Sequence, residues 1–161
     1  MAKERKTNVM RALDQKKIPY QTHQYPHDGG AVDGMRVAGL IDKDAGCVYK
    51  TLITVGAKGE HYVFVLPVSA ELDLKKAAKA VGEKSVAMVH VAQIPTLTGY
   101  VRGGCSPIGM RKRFPTVLHE AARALPSIVV SAGKIGEQVE LNPEDLLQMV
   151  QASYADIALT R

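Results

Sequence analysis

Val48-Tyr49-Lys50-Thr51-Leu52-Ile53-Thr54-Val55 is followed by Gly56-Ala57-Lys58-Gly59 and, after Glu60, by His61-Tyr62-Val63-Phe64-Val65-Leu66. Two runs of β-branched and aromatic residues around a short glycine-bearing connection predict a β-hairpin. Such side chains fit a pleated surface, and glycine supplies the angles of a tight reversal. Within the first run Lys50 falls, at a period of two, on the same face as Val48 and Leu52. An ammonium on an apolar face has two readings. It is an edge-strand lysine whose stem runs out to water and discourages aggregation, or it lines a pocket, where it holds a phosphate or steadies a developing oxyanion.

On the N-terminal side, Thr7 or Asn8 caps a helix with Val9, Met10 and Leu13 on one face, stopped by Pro19. Tyr20 to Tyr25 alternates like a strand, Pro26 to Gly30 reads as a turn or mobile loop, and Val32 to Leu40 is weakly helical. On the C-terminal side, Asp73 caps Leu74 to Val81, with Gly82 as the stop. Short strands are expected at Val86–Val89, Leu97–Val101, Thr116–Leu118, Ile128–Ser131 and Gln138–Leu141, between Gly, Pro and Ser punctuation. Asn142-Pro143-Glu144-Asp145 starts a helix with a cap, a proline in its first turn and acids at its positive end. Leu146, Leu147, Met149 and Val150 form its apolar face, and the tail from Ala155 to Arg161 is expected to fray. The irregular order of strands and helices gives an α/β (α+β) class: one domain over residues 1–161, with a mixed curved sheet and helices packed outside.

The 161 residues suffice for one domain with a real core, and the 46% apolar and 23% charged composition excludes a disordered chain. A net charge of +5 permits a polyanionic partner without demanding one. Cys47 and Cys105 are too few for a disulfide framework and form no C-x-x-C pair, which fits a reducing cytoplasm. The charged start Met1-Ala2-Lys3-Glu4-Arg5-Lys6 leads into no apolar run, so neither a signal peptide nor a membrane span is expected.

Gly103-Gly104-Cys105-Ser106-Pro107-Ile108-Gly109 matches neither nucleotide-binding glycine pattern. It is a tight turn, or a ligand-facing loop in which adjacent glycines allow close backbone approach and Pro107 stiffens the amides. Cys105 invites a nucleophile reading, but no neighbouring histidine lowers its pKa. His27-Asp28 resembles a base with its orienter, although adjacent side chains seldom bond productively. His23, His61, His90 and His119 lie at no ligand spacing, so no metal or cofactor is expected. Met110-Arg111-Lys112-Arg113 is a basic cluster: a solvated surface run, or a seat for RNA phosphates.

Taken together, Val48-Tyr49-Lys50-Thr51-Leu52, Leu72-Asp73-Leu74-Lys75-Lys76 and Gly99 to Gly109 resemble the YbaK-type Cys-tRNA(Pro) deacylases. Further matches run from Tyr25-Pro26-His27-Asp28 through Val130 to Lys134 and on to Tyr154-Ala155-Asp156-Ile157-Ala158. The resemblance implies an editing domain like that inserted in bacterial prolyl-tRNA synthetases, acting in trans on mischarged tRNA, with the synthetase a possible partner. It implies a functional lysine at Lys50, pocket residues at Tyr25 and Thr51, a G-x-x-x-P loop from Gly103 to Pro107, and a polar residue near the substrate at Ser131. Loop amides from Gly103 to Ser106, that of Gly104 among them, would then stabilise the oxyanion. In this family the substrate's own thiol is thought to attack its ester, so that orientation replaces a protein nucleophile. Two departures stand out: Glu137 and Gln138 occupy the place of an Asp found in some members, and Ala31 to Met35 carries no aromatic residue. Removal of alanine from tRNA(Pro) by water, a non-catalytic tRNA-binding module, and a hydrolase using Cys105 remain as competing readings.

Overall fold

The computed structural model describes residues 6–159; the charged start discussed above lies almost wholly outside that range. The expected hairpin forms from β2 (Tyr49–Gly56) and β3 (His61–Pro67), in register from Tyr49↔Pro67 to Val55↔His61. Gly59, at φ 85°, donates its amide to Gly56 O at 3.0 Å and closes the turn. Around this hairpin a mixed five-stranded sheet runs β4-β2-β3-β5-β8, with β4 (Val86–Met88), β5 (Thr116–His119) and β8 (Ser153–Ala155). β4 pairs antiparallel with β2, whereas β5 and β8 run parallel to their neighbours.

The remaining strands form an antiparallel sheet of their own, β1-β7-β6, from β1 (Gln21–Gln24), β6 (Ile128–Lys134) and β7 (Glu137–Leu141). The expected mixed sheet is therefore accompanied by a second one. The two meet where Val129 N donates to Cys47 O at 2.9 Å, beside a Val48↔Val129 bridge. Alternation along β6 sends Ile128, Val130 and Ala132 into the main core with Val139 and Leu141, and turns Val129 and Ser131 towards the junction.

Caps set the helix starts. In α1 (Asn8–Gln15) the Thr7 hydroxyl accepts from Met10 N, while Val9, Met10 and Leu13 are buried against β6. Asp73 takes the first amides of α3 (Leu74–Ala80), and Asn142 Oδ1 takes Glu144 N at the head of α5 (Pro143–Val150). Helix α2 (Gly34–Leu40) differs, since its cap residue Asp33 makes no side-chain cap bond.

Two expectations are corrected. Leu97–Val101 is no strand: Ile94–Thr98 forms a short helix, α4, with Pro95 in its first turn and Gly99 at φ 83° as its C-cap. The alternation of Leu97, Thr98, Gly99 and Tyr100 imitated a strand, but a proline start and a glycine stop decide the segment. The C-terminal segment is also tied down. Asp73 N donates to Ile157 O at 2.8 Å and Leu159 N to Glu71 O at 2.9 Å, and Ile157 is fully buried; Thr160 and Arg161 lie outside the described residues.

Candidate active site

Strand β4 pairs with β2 between Thr54 and Gly56, and Val89 N just beyond it donates to Ile53 O at 3.2 Å, so the Tyr49–Leu52 stretch of β2 pairs with β3 alone. This half-open stretch forms the floor of a cleft of about 420 Å³. Lys50 is thus an edge lysine and a pocket lysine at once. The walls are the Ala31–Gly34 segment leading into α2, the glycine loop at Arg102, Gly103 and Cys105, and Tyr25, Ser131 and Gln138 from the three-stranded sheet. Ser131 and Gln138 are direct cross-strand partners, which explains why residues distant in sequence share one wall.

Lys50 is half-buried, and no carboxylate lies within ion-pair distance of it among the described residues. Burial pushes its ammonium below the usual lysine range, against smaller upward pulls from Glu71 and Asp33. An unpaired cation in a cleft is ready for an anionic or carbonyl oxygen. Tyr25 and Gln138 are each only 5% exposed, and neither side chain has a hydrogen-bond partner among the described residues. Their polar atoms still reach the accessible surface, since among the described residues Tyr49 Oη, also in the cleft lining, is the one fully buried polar side-chain atom without a partner. Ser131 Oγ accepts from Gly133 N at 3.1 Å and keeps its own proton to donate.

The glycine loop divides into two faces. Gly103 lines the cleft at φ 88°, and a Cβ there would stand 2.9 Å from Ala31 Cα, so glycine is required for both angle and space. The Gly104 amide is committed to Val101 O at 2.9 Å, whereas those of Gly103 and Cys105 have no protein acceptor among the described residues. Ser106 is fully buried, its Oγ accepting from Ile108 N at 3.2 Å, and Pro107 lines a separate cleft with Lys112 and Arg113. Tyr25, Lys50, Thr51, Gly103 and Ser131 are therefore brought together, whereas Gly104, Ser106 and Pro107 are not among the residues lining this cleft.

Cys105 borders the cleft, but burial pushes its thiol up to about 11, against a downward pull from Thr98. A thiol held protonated is a poor nucleophile. His27 and Asp28 do not engage each other; each accepts from a glycine amide two residues on, Gly29 and Gly30 respectively. No cluster of three or more His, Cys, Asp or Glu suited to a metal occurs among the described residues. Arg102, Asp33 and the cleft-facing role of Gln138 were not apparent from the sequence.

The sequence profile of the aminoacyl-tRNA editing domain matches residues 35–149 of this two-sheet α/β chain. The chain belongs to that family, and its class of activity is that of an aminoacyl-tRNA deacylase. It is 46% identical, over 96% of its length and 94% of the other's, to a protein of Enterococcus faecalis named as the Cys-tRNA(Pro)/Cys-tRNA(Cys) deacylase EbsC. A crystal structure described as a trans-editing enzyme for prolyl tRNA synthetase is 25% identical and superposes with a TM-score of 0.81, covering 94% of this chain and 95% of that one. A hypothetical protein, APE2540, shares the fold at 19% identity and a TM-score of 0.84, covering 94% and 99% of the two chains. Among the described residues no helix is long and apolar enough to cross a membrane.

Proposed function

We propose that residues 1–161 act as one editing domain that removes cysteine from Cys-tRNA(Pro), and from Cys-tRNA(Cys), in the cytoplasm. The carrying observation is a cleft with an unpaired Lys50 facing the Gly103 loop and no nucleophile paired with a base among its lining residues. Such a site orients a substrate that supplies its own nucleophile. The cysteine sulfur attacks the ester carbonyl, the bond to the ribose oxygen breaks, and the thiol proton ends on that oxygen, leaving a cyclic thiolactone and free tRNA. Orientation of this kind accounts for a large share of an intramolecular acceleration.

In this reading Lys50 holds the terminal phosphate or the ester oxygen. The amides of Gly103 and Cys105, unoccupied in the protein, face the developing oxyanion. Tyr25, Thr51 and Ser131 fix the aminoacyl group. Gly104, Ser106 and Pro107 act by holding the loop in shape.

Charge distribution supports RNA as the partner. Residues 84–119 carry Lys84, Arg102, Arg111, Lys112 and Arg113 and no acid, so this segment holds the entire +5 and the other 16 cations balance the 16 acids. Arg102 stands at the cleft, and Lys112 and Arg113 line the neighbouring cleft behind Pro107. The acceptor stem would run along this surface, with prolyl-tRNA synthetase a candidate to deliver it. The test is release of amino acid from tRNA(Pro) charged with cysteine, serine or alanine. Preference for cysteine with thiolactone formation supports the reading. Equal hydrolysis of all three makes water the nucleophile, and tRNA binding without release makes the chain a binding module.

A further inference from the structure

Asp33 contributes the one carboxylate among the residues lining the cleft. It occupies the cap position of α2 with φ −54° and ψ 136°, yet its side chain caps nothing. Thr7, Asp73 and Asn142, the caps of α1, α3 and α5, accept amides of their own helices, whereas Gln93 before α4, like Asp33, makes no such bond. Asp33 is exposed and has neither ion-pair nor hydrogen-bond partner among the described residues. Two nine-tenths-buried polar side chains, those of Tyr25 and Gln138, are unpartnered in the same cleft.

An aminoacyl ester brings a feature that an ordinary RNA end and an N-blocked ester both lack, a free α-amino group. Its pKa lies below the ~8 of a peptide α-amino group, because the ester withdraws electrons, so a substantial share is cationic at neutral pH and a nearby carboxylate raises that share. A cleft already holding Lys50 repels that charge unless an anion receives it. The lining offers two cations, Lys50 on the floor and Arg102 on the glycine loop, to the phosphate or ester end, and one anion, Asp33 on the wall before α2, to the amine end.

Resting on the editing reading above, we infer that Asp33 accepts the α-ammonium of the bound aminoacyl group, so that the site selects free aminoacyl ends over N-blocked ones. Gln138, neutral and without a hydrogen-bond partner among the described residues, lines the same cleft and adds an acceptor to it.

The experiment compares kcat/KM for Cys-tRNA(Pro) and N-acetyl-Cys-tRNA(Pro) with the unsubstituted protein, Asp33→Asn and Asp33→Glu. The unsubstituted protein should prefer the free amine by about tenfold or more. Asp33→Asn should lose that preference by slowing only the free-amine substrate, and Asp33→Glu should restore part of it. Binding of amide-linked 3′-cysteinylamino-adenosine, with and without an N-acetyl group, gives the same ratio without turnover and guards against a folding defect. If Asp33→Asn slows both substrates equally, the carboxylate serves only Lys50 or the helix, and the inference is overturned. An unchanged preference overturns it too. Absence of release by the unsubstituted protein overturns the editing reading itself, a separate and recognisable failure.

Discussion

Strand β7 carries two polar residues on the face opposite its core-facing Val139 and Leu141, and the protein treats them oppositely. Glu140 is saturated: its carboxylate accepts from the Ser127 hydroxyl at 2.5 Å and pairs with Lys43 at 3.1 Å and the His23 ring at 2.7 Å. Gln138, two residues earlier, is as deeply set and has no partner among the described residues. The same contrast separates Lys43, paired to Glu140, from Lys50, paired to nothing. Glu140 ties its neighbours together through satisfied bonds, whereas Gln138 and Lys50 line the cleft with theirs unmade. Substitutions on the two sides of this divide should therefore fail in different ways.

The largest effect is expected at Lys50. Lys50→Ala should reduce release of cysteine by about 10²–10³-fold, the scale of losing one preorganised electrostatic contact. Its thermal midpoint should stay within a few degrees, since no protein partner is orphaned. Deacylation assays beside thermal melts check both halves. A melt that collapses along with activity would move Lys50 to the structural side. Next comes Gly103→Ala, which meets Ala31 and forces a positive φ on a side chain. It should cost about 1–3 kcal/mol of stability, and displacement of the loop should lower activity by roughly 10–100-fold. Neutralising Arg111, Lys112 and Arg113 together to Gln should weaken tRNA binding on the order of tenfold and reduce the salt slope by about 3. The chemical step on bound tRNA should remain, as single-turnover rates would show.

What the sequence made legible follows the same divide. Lys50 was readable because a two-residue period makes a charged residue on an apolar strand visible, and the caps Thr7, Asp73 and Asn142 because capping is local chemistry. The Gly103 loop was readable as a loop. Its two faces were not, because whether an amide is free depends on Val101 and on packing against Ala31. Gln138 and Asp33 acquire meaning only when β7 and the segment before α2 meet across the cleft. The second sheet was hidden for the same reason, since β1 pairs with β7 across more than a hundred residues. Leu97–Val101 misled because a short alternation outweighed Pro95 and Gly99.

On the satisfied side, Glu140→Gln should leave deacylation nearly unchanged and lower stability by about 1–2 kcal/mol at neutral pH, allowing for solvent screening. Burial alone would raise the Glu140 carboxyl, but hydrogen bonds from Ser127, His23 and Lys43 outweigh it and hold it down to about 2. For a depressed acid the contribution is complete above its unfolded value of about 4.5 and is lost as pH falls towards 2. Urea titrations at pH 7 and pH 3 should therefore separate unsubstituted protein from Glu140→Gln at the first and bring them closer at the second. Convergence at both would mean that the network contributes nothing.

The smallest effect is expected at Cys105, which sits on the boundary between the two sides. It borders the cleft as an unsatisfied group would, yet burial raises its thiol to about 11 and Thr98 engages it from within. At neutral pH, thiolate is then on the order of 10⁻⁴ of the population, too little to attack an ester or to react quickly with an alkylating reagent. Cys105→Ala removes one sulfur from the wall and leaves the backbone amide at this position in place. Release of cysteine should change by no more than a few-fold, and iodoacetamide at pH 7.5 should leave activity intact over the time that labels an ordinary exposed thiol. Rapid inactivation of the unsubstituted protein, absent from Cys105→Ala, would place a protein nucleophile in the cleft. Lys50 and the Gly103 loop would then serve an acyl-enzyme rather than the substrate's own thiol.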